Sequence, residues 1–162
     1  ASLVGSEMCI RDSISAQDMW QASLESAAKN QIFIGCAAVA DYRVAEVADQ
    51  KIKKSGDEIS IKLIKNPDII SDIGHLKTHR PFTVGFAAET QNVDDYAKDK
   101  LERKNLDMIC ANDVSGGQVF NADENALQLF WKNGHKKLSL KSKVELAADL
   151  VNKIIERYQK TL

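Results

Sequence analysis

Three short, nearly continuous apolar runs most constrain what this 162-residue chain can fold into. They occupy residues 32–39, 82–88 and 106–111. Runs of this length and composition are typical of parallel strands that are buried on both faces. Because polar segments with helical character separate the runs, the pattern predicts an α/β domain with helices packed on a sheet.

Helix signals lie before, between and after these predicted strands. Ser15 with Asp18, and Ser142 with Glu145, each have the spacing of a capping box. Asn66, followed by a proline, has the pattern of a helix start with Asn66 as the cap. Together with one charged segment, these signals predict helices over residues 15–30, 66–76, 92–104 and 142–158.

Alternating apolar and polar residues predict further strands. Residues 59–63 have the pattern of a half-buried strand, and residues 127–131 and 136–140 flank the hairpin signal Asn133-Gly134. We therefore predict a three-layer α/β fold that ends in a β-hairpin and a helix. One face of this hairpin is a candidate interface, and it carries Leu127, Leu129 and Trp131.

Composition excludes several classes of function. Lys and Arg total 22 against 23 Asp and Glu, a net charge of -1, whereas a nucleic-acid-coating protein needs a clear positive excess. The widely spaced Cys9, Cys36 and Cys110 fit a reducing compartment better than a disulfide framework or a zinc site. No apolar run approaches the roughly 20 residues that span a bilayer. We expect one soluble, cytoplasmic domain that binds neither nucleic acid nor membrane.

Residues 1–13 differ from the rest because they show neither a helical nor a strand period. They are either a frayed native terminus or a foreign leader joined to a truncated reading frame. We favour the second interpretation. It predicts a non-native or disordered leader over residues 1–13 and a domain over residues 14–162.

Candidate ligand positions follow from the predicted sheet, because open α/β sheets bind ligands beyond the carboxyl ends of their strands. This rule selects residues 35–43, 66–70, 86–90 and 112–120. In the first segment, small residues would let a ligand approach the backbone, and Asp41 could accept a hydrogen bond from a ribose or base. The alternative, which the spacing alone favours, is a tightly packed strand with Asp41 as a helix cap or turn residue. In the second, the helix start is either structural or an anion site. We expect Cys36 to be a small buried apolar residue.

Three lysines are candidates for binding phosphate. Lys51 begins the run KIKK, which is either a solvated charge cluster or a flap over phosphates. Lys100 and Lys104 share a helix face, and no carboxylate lies three or four residues before either. Such a like-charge pair costs roughly 0.2–0.5 kcal/mol, little enough for an ordinary surface. The sequence lacks the GxGxxG, GxxxxGK[ST], GxSxG and HExxH motifs, so the residues alone indicate only an α/β domain with a candidate nucleotide site.

Several segments together resemble one enzyme family. They are IFIGCAAVADYR (32–43), KIKK (51–54), IKNPDII (64–70), VGFAAET (84–90), RKNLDMICANDVS (103–115) and NALQLFW (125–131). Over about residues 14–160, in colinear order, the chain resembles bacterial phosphopantothenoylcysteine synthetase. This family is the CTP-dependent phosphopantothenate–cysteine ligase of coenzyme A biosynthesis. The resemblance implies a Rossmann-like three-layer sandwich with a mostly parallel sheet.

The resemblance also implies the chemistry. The carboxylate of 4′-phosphopantothenate attacks the α-phosphate of CTP to give an acyl-cytidylate, and the amine of L-cysteine then displaces CMP. Mg²⁺ would assist at the phosphates. Family members are dimeric, and in many bacteria they are fused to a phosphopantothenoylcysteine decarboxylase domain, which alone would carry FMN.

Site residues are carried over from the same resemblance. Lys51 would be the catalytic lysine on a flap over the triphosphate, and Lys100 and Lys104 would contact phosphates. The full set implied for CTP is Gly35, Cys36, Ala37, Asp41, Lys51, Pro67, Asp68, Ile69, Ile70, Phe86, Lys100 and Lys104.

One departure from the family concerns the amino-terminal side. Family members begin this domain with a strand, a Gly-rich turn and an Asn/Ser/Gly segment that help hold phosphopantothenate, and residues 1–13 resemble none of these. We therefore expect the N-terminal part of the domain to be missing and acyl-cytidylate formation to be impaired. The alternatives are a non-catalytic CTP-binding fragment and a dimerisation fragment.

Overall fold

The computed structural model of the protein describes residues 10–54, 56–89, 91–113 and 123–162. Four helices and seven strands lie in these ranges. In chain order they are α1 (Ala16–Ala27), β1 (Ile32–Gly35), β2 (Tyr42–Val44), β3 (Leu63–Lys65), α2 (Ile69–Gly74), β4 (Phe82–Glu89), α3 (Val93–Arg103), β5 (Met108–Asp113), β6 (Glu124–Trp131), β7 (Gly134–Ser142) and α4 (Lys143–Gln159).

The main sheet has the strand order β1-β4-β5-β6-β7 within the described residues. The pairs β1–β4 and β4–β5 are parallel, whereas β6 runs antiparallel to both of its neighbours. Consequently β1, β4, β5 and β7 all point the same way, and the predicted mostly parallel sheet with a C-terminal hairpin is confirmed.

Helices cover both faces of this sheet. On one face Leu146, Leu150 and Ile154 of α4 pack on Val84 and Met108. On the other, a second buried cluster joins α3 to the sheet through Ala97, Leu101, Ile109 and Phe130. Burying a Leu or Ile side chain fully contributes about 1.5–3 kcal/mol, so the two clusters hold the layers together. The predicted three-layer α/β arrangement is confirmed.

A helix begins at both predicted capping boxes; α1 has both reciprocal bonds of the box, whereas α4 begins with the serine cap. The Ser15 hydroxyl oxygen accepts from the backbone N–H of Asp18 at 3.1 Å, and the Asp18 carboxylate accepts from the N–H of Ser15 at 3.1 Å. At α4, the Ser142 hydroxyl accepts from the N–H of Glu145 at 3.3 Å and donates to its carboxylate at 2.6 Å. These contacts satisfy backbone donors that a helix start otherwise leaves unpaired.

The helix predicted over residues 66–76 is shorter than expected, and its predicted cap is wrong. The cap is Asp68, whose carboxylate accepts from the N–H of Ser71 at 3.2 Å. Asn66 lies before the helix, and its side chain instead bonds to Ala40 and Arg43.

The half-buried strand predicted over residues 59–63 is also wrong. Only Leu63 of that segment belongs to a strand, and Ile59, Ile61 and Leu63 are all exposed. The reason is that β3 pairs with β2 in a separate two-stranded sheet. Period alone cannot reveal that a strand lacks a layer to pack against.

The hairpin face proposed as an interface lies inside the domain. Leu127 and Leu129 are buried in the cluster that contains α4. Trp131 lies beneath two cations of α4, with the Lys153 ammonium 5.1 Å and the Arg157 guanidinium 4.9 Å from ring centroids. Because the final helix covers this face, the expectation of an interface there is wrong.

Two predictions lie wholly or partly outside the described residues. The leader is described only from residue 10 onward, where Arg11 pairs with Glu25 at 2.8 Å. The loop around Gly116-Gly117 falls within residues 114–122, which the structure does not describe. In the described ranges, no helix is long and apolar enough to cross a membrane.

Candidate nucleotide-binding site

A cavity of about 420 Å³ lies beyond the carboxyl end of β1 and beside the middle of β4. Its volume is in the range that small-molecule sites occupy. Every residue of the predicted CTP set except Lys51 and Lys100 lines it. Residues from the β1 end, the start of α2, the middle of β4 and the end of α3 are thus brought to one place.

A pair of glycines lets α2 lie against the sheet beside this cavity. Gly35 pairs with Gly85 across the parallel β1–β4 ladder. A Cβ atom on Gly35 would come within 2.9 Å of the Ile70 Cδ1 atom, and one on Gly85 within 3.0 Å of the same atom. The small residue at position 35 therefore makes room for Ile70, as the alternative of a tightly packed strand predicts.

Lys104 forms an ion pair across the cavity. Its ammonium lies 2.9 Å from one oxygen and 3.1 Å from the other oxygen of Asp68. The two side chains are 21% and 35% exposed, so the pair is only partly shielded from water. Lys100 also has an interaction partner. The expectation that both lysines lack partners is therefore wrong, since α2 supplies a carboxylate that local spacing cannot show.

Asp68 has two roles in this wall of the cavity. One of its oxygens accepts from the N–H of Ser71 and so caps α2, while the carboxylate also holds Lys104. An anion at this helix start would find the N–H of Ser71 already bonded to Asp68. The cationic groups that line the cavity are Lys65 and Lys104, and Lys104 is the one beside the start of α2.

Asn66 joins two walls of the cavity. Its side-chain amide donates to the carbonyl of Ala40 at 2.8 Å and accepts from Arg43 at 3.0 Å. Its backbone N–H donates to the carbonyl of Asp41 at 2.8 Å. These bonds fix the segment after β1 against the residues that begin α2.

The cysteines near the site are not activated. Cys36 lines the cavity and is exposed, so the expectation that it is buried is wrong; β1 ends one residue before it. Desolvation by the surrounding protein still raises the pKa of its thiol. Burial raises the pKa of the Cys110 thiol to about 12, and the neighbouring Cys36 adds to that shift. Thiolates are the reactive form, so neither group is suited to be a nucleophile at neutral pH.

Lys51 and Lys100 are placed differently from the other predicted residues. Lys51 is exposed in the connection between β2 and β3, and Lys100 lies one helical turn before Lys104 on α3. Neither lines the cavity. Their phosphate roles stay predictions.

Sequence reasoning missed three residues that line the cavity. Met19 and Ser23 reach it from α1, and Lys65 comes from β3. Val39 and Asn66 also line it and lie in segments that the strand-end rule selected. The sequence of α1 cannot show that one of its faces meets a ligand cavity. Within the described ranges, no group of three or more His, Cys, Asp or Glu side chains is arranged to hold a metal ion.

A second cavity, of about 520 Å³, lies at the opposite ends of the strands. Its main cation is Arg80, which pairs with Asp107 at 2.9 Å and donates to the carbonyl of Gly74 at 2.7 Å. This arginine is used to hold the fold together. The cavity at the carboxyl ends therefore remains the better candidate site.

The fold is that of a Rossmann-like α/β domain, and its cavity at the end of β1 is the candidate ligand site. The family model described as "DNA/pantothenate metabolism flavoprotein C-terminal domain" matches residues 5–158. The chain belongs to this family.

Relatives agree with that assignment. The coenzyme A biosynthesis bifunctional protein CoaBC of Haemophilus influenzae is 96% identical over 149 residues, which cover 92% of this chain and 37% of that protein. CoaBC of Escherichia coli K12 is 55% identical over 151 residues, covering 91% of this chain and 37% of that protein. The chain thus spans little more than a third of these relatives. The resemblance found in the sequence is confirmed.

Solved structures share the fold. A crystal structure of the C-terminal domain of CoaBC matches with a TM-score of 0.71 and 33% identity, covering 90% of this chain and 64% of that one. The DNA/pantothenate metabolism flavoprotein from Streptococcus pneumoniae has a TM-score of 0.74 at 23% identity, over 91% of this chain and 72% of that one.

Proposed function

We propose that the chain supplies the CTP site of a ligase that joins 4′-phosphopantothenate to L-cysteine in coenzyme A biosynthesis. One observation carries the proposal: residues from separate elements, including Asp41, Phe86 and Lys104, line a single cavity at the strand ends. The relatives are bifunctional proteins of coenzyme A biosynthesis, which supports an enzyme of that process.

The cavity offers a distinct group for each part of a nucleotide. Phe86, in the middle of β4, is 37% exposed and presents an apolar surface on which a base or ribose can pack. Asp41 supplies an acceptor for a hydroxyl or an amino group. Lys104 supplies positive charge for a phosphate, and charge-assisted bonds of this kind are about twice as strong as neutral ones.

The proposed reaction has two steps. A carboxylate oxygen of phosphopantothenate forms a bond to the α-phosphorus of CTP, and the bond to pyrophosphate breaks. The amine of cysteine then bonds to the acyl carbon, loses a proton, and CMP leaves with the acyl–oxygen electron pair. The cysteine thiol takes no part, and the protonated thiols of Cys36 and Cys110 do not compete for the acyl group.

Mg²⁺ fits this site. In nucleotide sites it is held by one or two carboxylates together with substrate phosphates. Asp41 and Asp68 are the carboxylates that line the cavity, and Asp68 is already paired with Lys104. One of these two carboxylates would hold the ion together with the phosphates, and the ion would offset charge on the triphosphate. FMN would belong to the separate decarboxylase domain of the bifunctional relatives.

Binding and turnover are separate parts of the proposal. We expect this chain to bind CTP. The test is calorimetric titration with CTP, and saturable binding is expected. Absence of binding contradicts the proposed site. Pyrophosphate release from CTP and phosphopantothenate measures the first step of the proposed reaction separately.

A homodimer is also proposed from the family resemblance. The face that carries Leu127 and Leu129 is covered by α4, so the dimer must use another surface. Sedimentation equilibrium over a range of protein concentrations tests this. A mass of two chains is expected, and a single-chain mass at every concentration contradicts it.

A further inference from the structure

Asn66 is a buried polar residue with no catalytic atom to offer, yet its hydrogen bonds reach across the candidate site. Only 7% of it is exposed. Its amide contacts the carbonyl of Ala40, 26 residues away in sequence, at 2.8 Å. Buried amides are retained where their bonds are satisfied, and losing one partner leaves the other group unpaired.

The bonds of Asn66 form a clamp between two chain segments, together with those of Arg43. Asn66 holds Ala40 through its side chain and Asp41 through its backbone N–H. The Arg43 guanidinium holds the Asn66 side-chain oxygen at 3.0 Å and the carbonyl of Lys65 at 2.9 Å. One segment carries Asp41, and the other leads directly into Asp68.

We propose that Asn66 is a positioning residue for the nucleotide. Its amide fixes the distance between the wall that carries Asp41 and the wall that carries the Asp68–Lys104 pair. This inference rests on the proposed CTP binding. Displacing one wall of a site by about 1 Å can reduce its function a hundredfold. Loss of the clamp should therefore reduce the affinity for CTP more than it reduces the stability of the fold.

Two variants test the clamp by removing different hydrogen bonds from it. Asn66→Asp keeps the size of the side chain and an acceptor for Arg43, but it places an oxygen against the carbonyl of Ala40. Arg43→Met removes the other end of the clamp and leaves the backbone bond of Asn66 intact. We expect Asn66→Asp to raise the Kd for CTP by about tenfold or more and Arg43→Met by less. The double variant should lose less binding free energy for CTP than the two single variants lose together, because both substitutions break the same clamp.

Ser142→Ala is the matched control. It removes a side-chain bond to the backbone at the start of α4, at the opposite edge of the sheet from β1. It should lower the melting temperature but leave the Kd for CTP within about twofold of the unmodified chain. A Kd change in the Asn66 variant without a matching change in this control separates positioning from general stability.

Amide hydrogen exchange of the free chain gives a readout that needs no nucleotide. Asn66→Asp should speed exchange in residues 37–42 while α4 exchanges as before. Unchanged exchange there, or a Kd for CTP within twofold of the unmodified chain, overturns the inference. If the unmodified chain binds no CTP, the proposed function fails, and the exchange data alone then decide whether the clamp exists.

Discussion

Lys104 is the residue whose environment differs most from what its neighbours in sequence suggest. The helix pattern left it without a carboxylate, but Asp68, 36 residues away, lies within 3.1 Å of its ammonium. Partly exposed pairs of this kind contribute only about 0–1 kcal/mol to stability. The pair therefore holds the ammonium at the cavity without fixing it strongly, and a triphosphate could compete for it.

Replacing Lys104 tests its role in binding. Lys104→Met should weaken CTP binding by roughly 10- to 100-fold, because hydrogen bonds to charged groups contribute about 1.5–3 kcal/mol. Calorimetric titration at fixed ionic strength measures the change.

Lys98→Met provides the control for charge. It removes the same charge from the same helix, where Lys98 lies 5.9 Å from the Phe130 ring centroid and does not line the cavity. The control should bind CTP within about twofold of the unmodified chain. Equal losses in both variants would mean that net charge, not position, governs binding.

The buried thiol of Cys110 makes the unfolding free energy depend on pH. Its folded-state pKa of about 12 lies above the ordinary thiol value of about 8.5. The unfolded chain therefore loses this proton first, and the stabilising effect of the protonated thiol is lost as pH rises from about 8.5 toward 12. We expect Cys110 to contribute a fall in unfolding free energy of up to about 1.4 kcal/mol per pH unit in this window.

Urea denaturation at pH 8, 9 and 10 measures that slope. Cys110→Ala is less stable overall because it leaves a small cavity, but its stability should fall less steeply with pH. Parallel slopes for the two proteins would contradict a raised pKa at Cys110.

At the scale of elements, the contact between α2 and the end of α3 places Lys104. Gly74 ends α2 so close to the carbonyl of Lys104 that a Cβ atom there would collide with backbone. The Asn105 side chain donates to the carbonyl of Gly74 at 2.6 Å and closes the same contact. The atoms nearest Gly74 are therefore backbone atoms of Lys104 and Asn105, which cannot move aside as a side chain can.

Two glycine substitutions test this difference. Gly74→Ala should destabilise the chain by about 1–3 kcal/mol or more, because overpacking against backbone forces a shift of the helix. Gly35→Ala should cost less, since the nearest atom is the tip of the Ile70 side chain. Urea denaturation measures both values. A larger loss for Gly35→Ala would contradict the packing described here.

Some elements are predictable from sequence because their signals are local. The apolar run of β4, the serine caps of α1 and α4, and the hairpin of β6 and β7 all arise from residues close together in the chain. The position of Asn66 against Ala40 and of Lys104 against Asp68 depends on residues far apart in sequence. The exposed ribbon of β2 and β3 likewise depends on which layer each strand meets.

At the scale of the whole molecule, the order of the strands explains why the site forms where it does. β1 ends at Gly35, which pairs with Gly85 of its parallel neighbour β4, so Cys36 and Phe86, one residue further along each segment, both line the cavity. The strand-end rule selected this edge from sequence alone. The relatives connect this family to coenzyme A biosynthesis, and CTP is the ligand that we propose for the cavity.

Mapping the binding of CTP by backbone amide NMR tests the central claim most directly. Titration of the ¹⁵N-labelled chain with CTP should shift the amides of Ala37, Asp41, Ile70 and Lys104 in a saturable way. Amides at the opposite cavity, beside Arg80 and Asp107, should stay unchanged. Shifts confined to that opposite cavity, or no saturable shifts at all, would contradict the account.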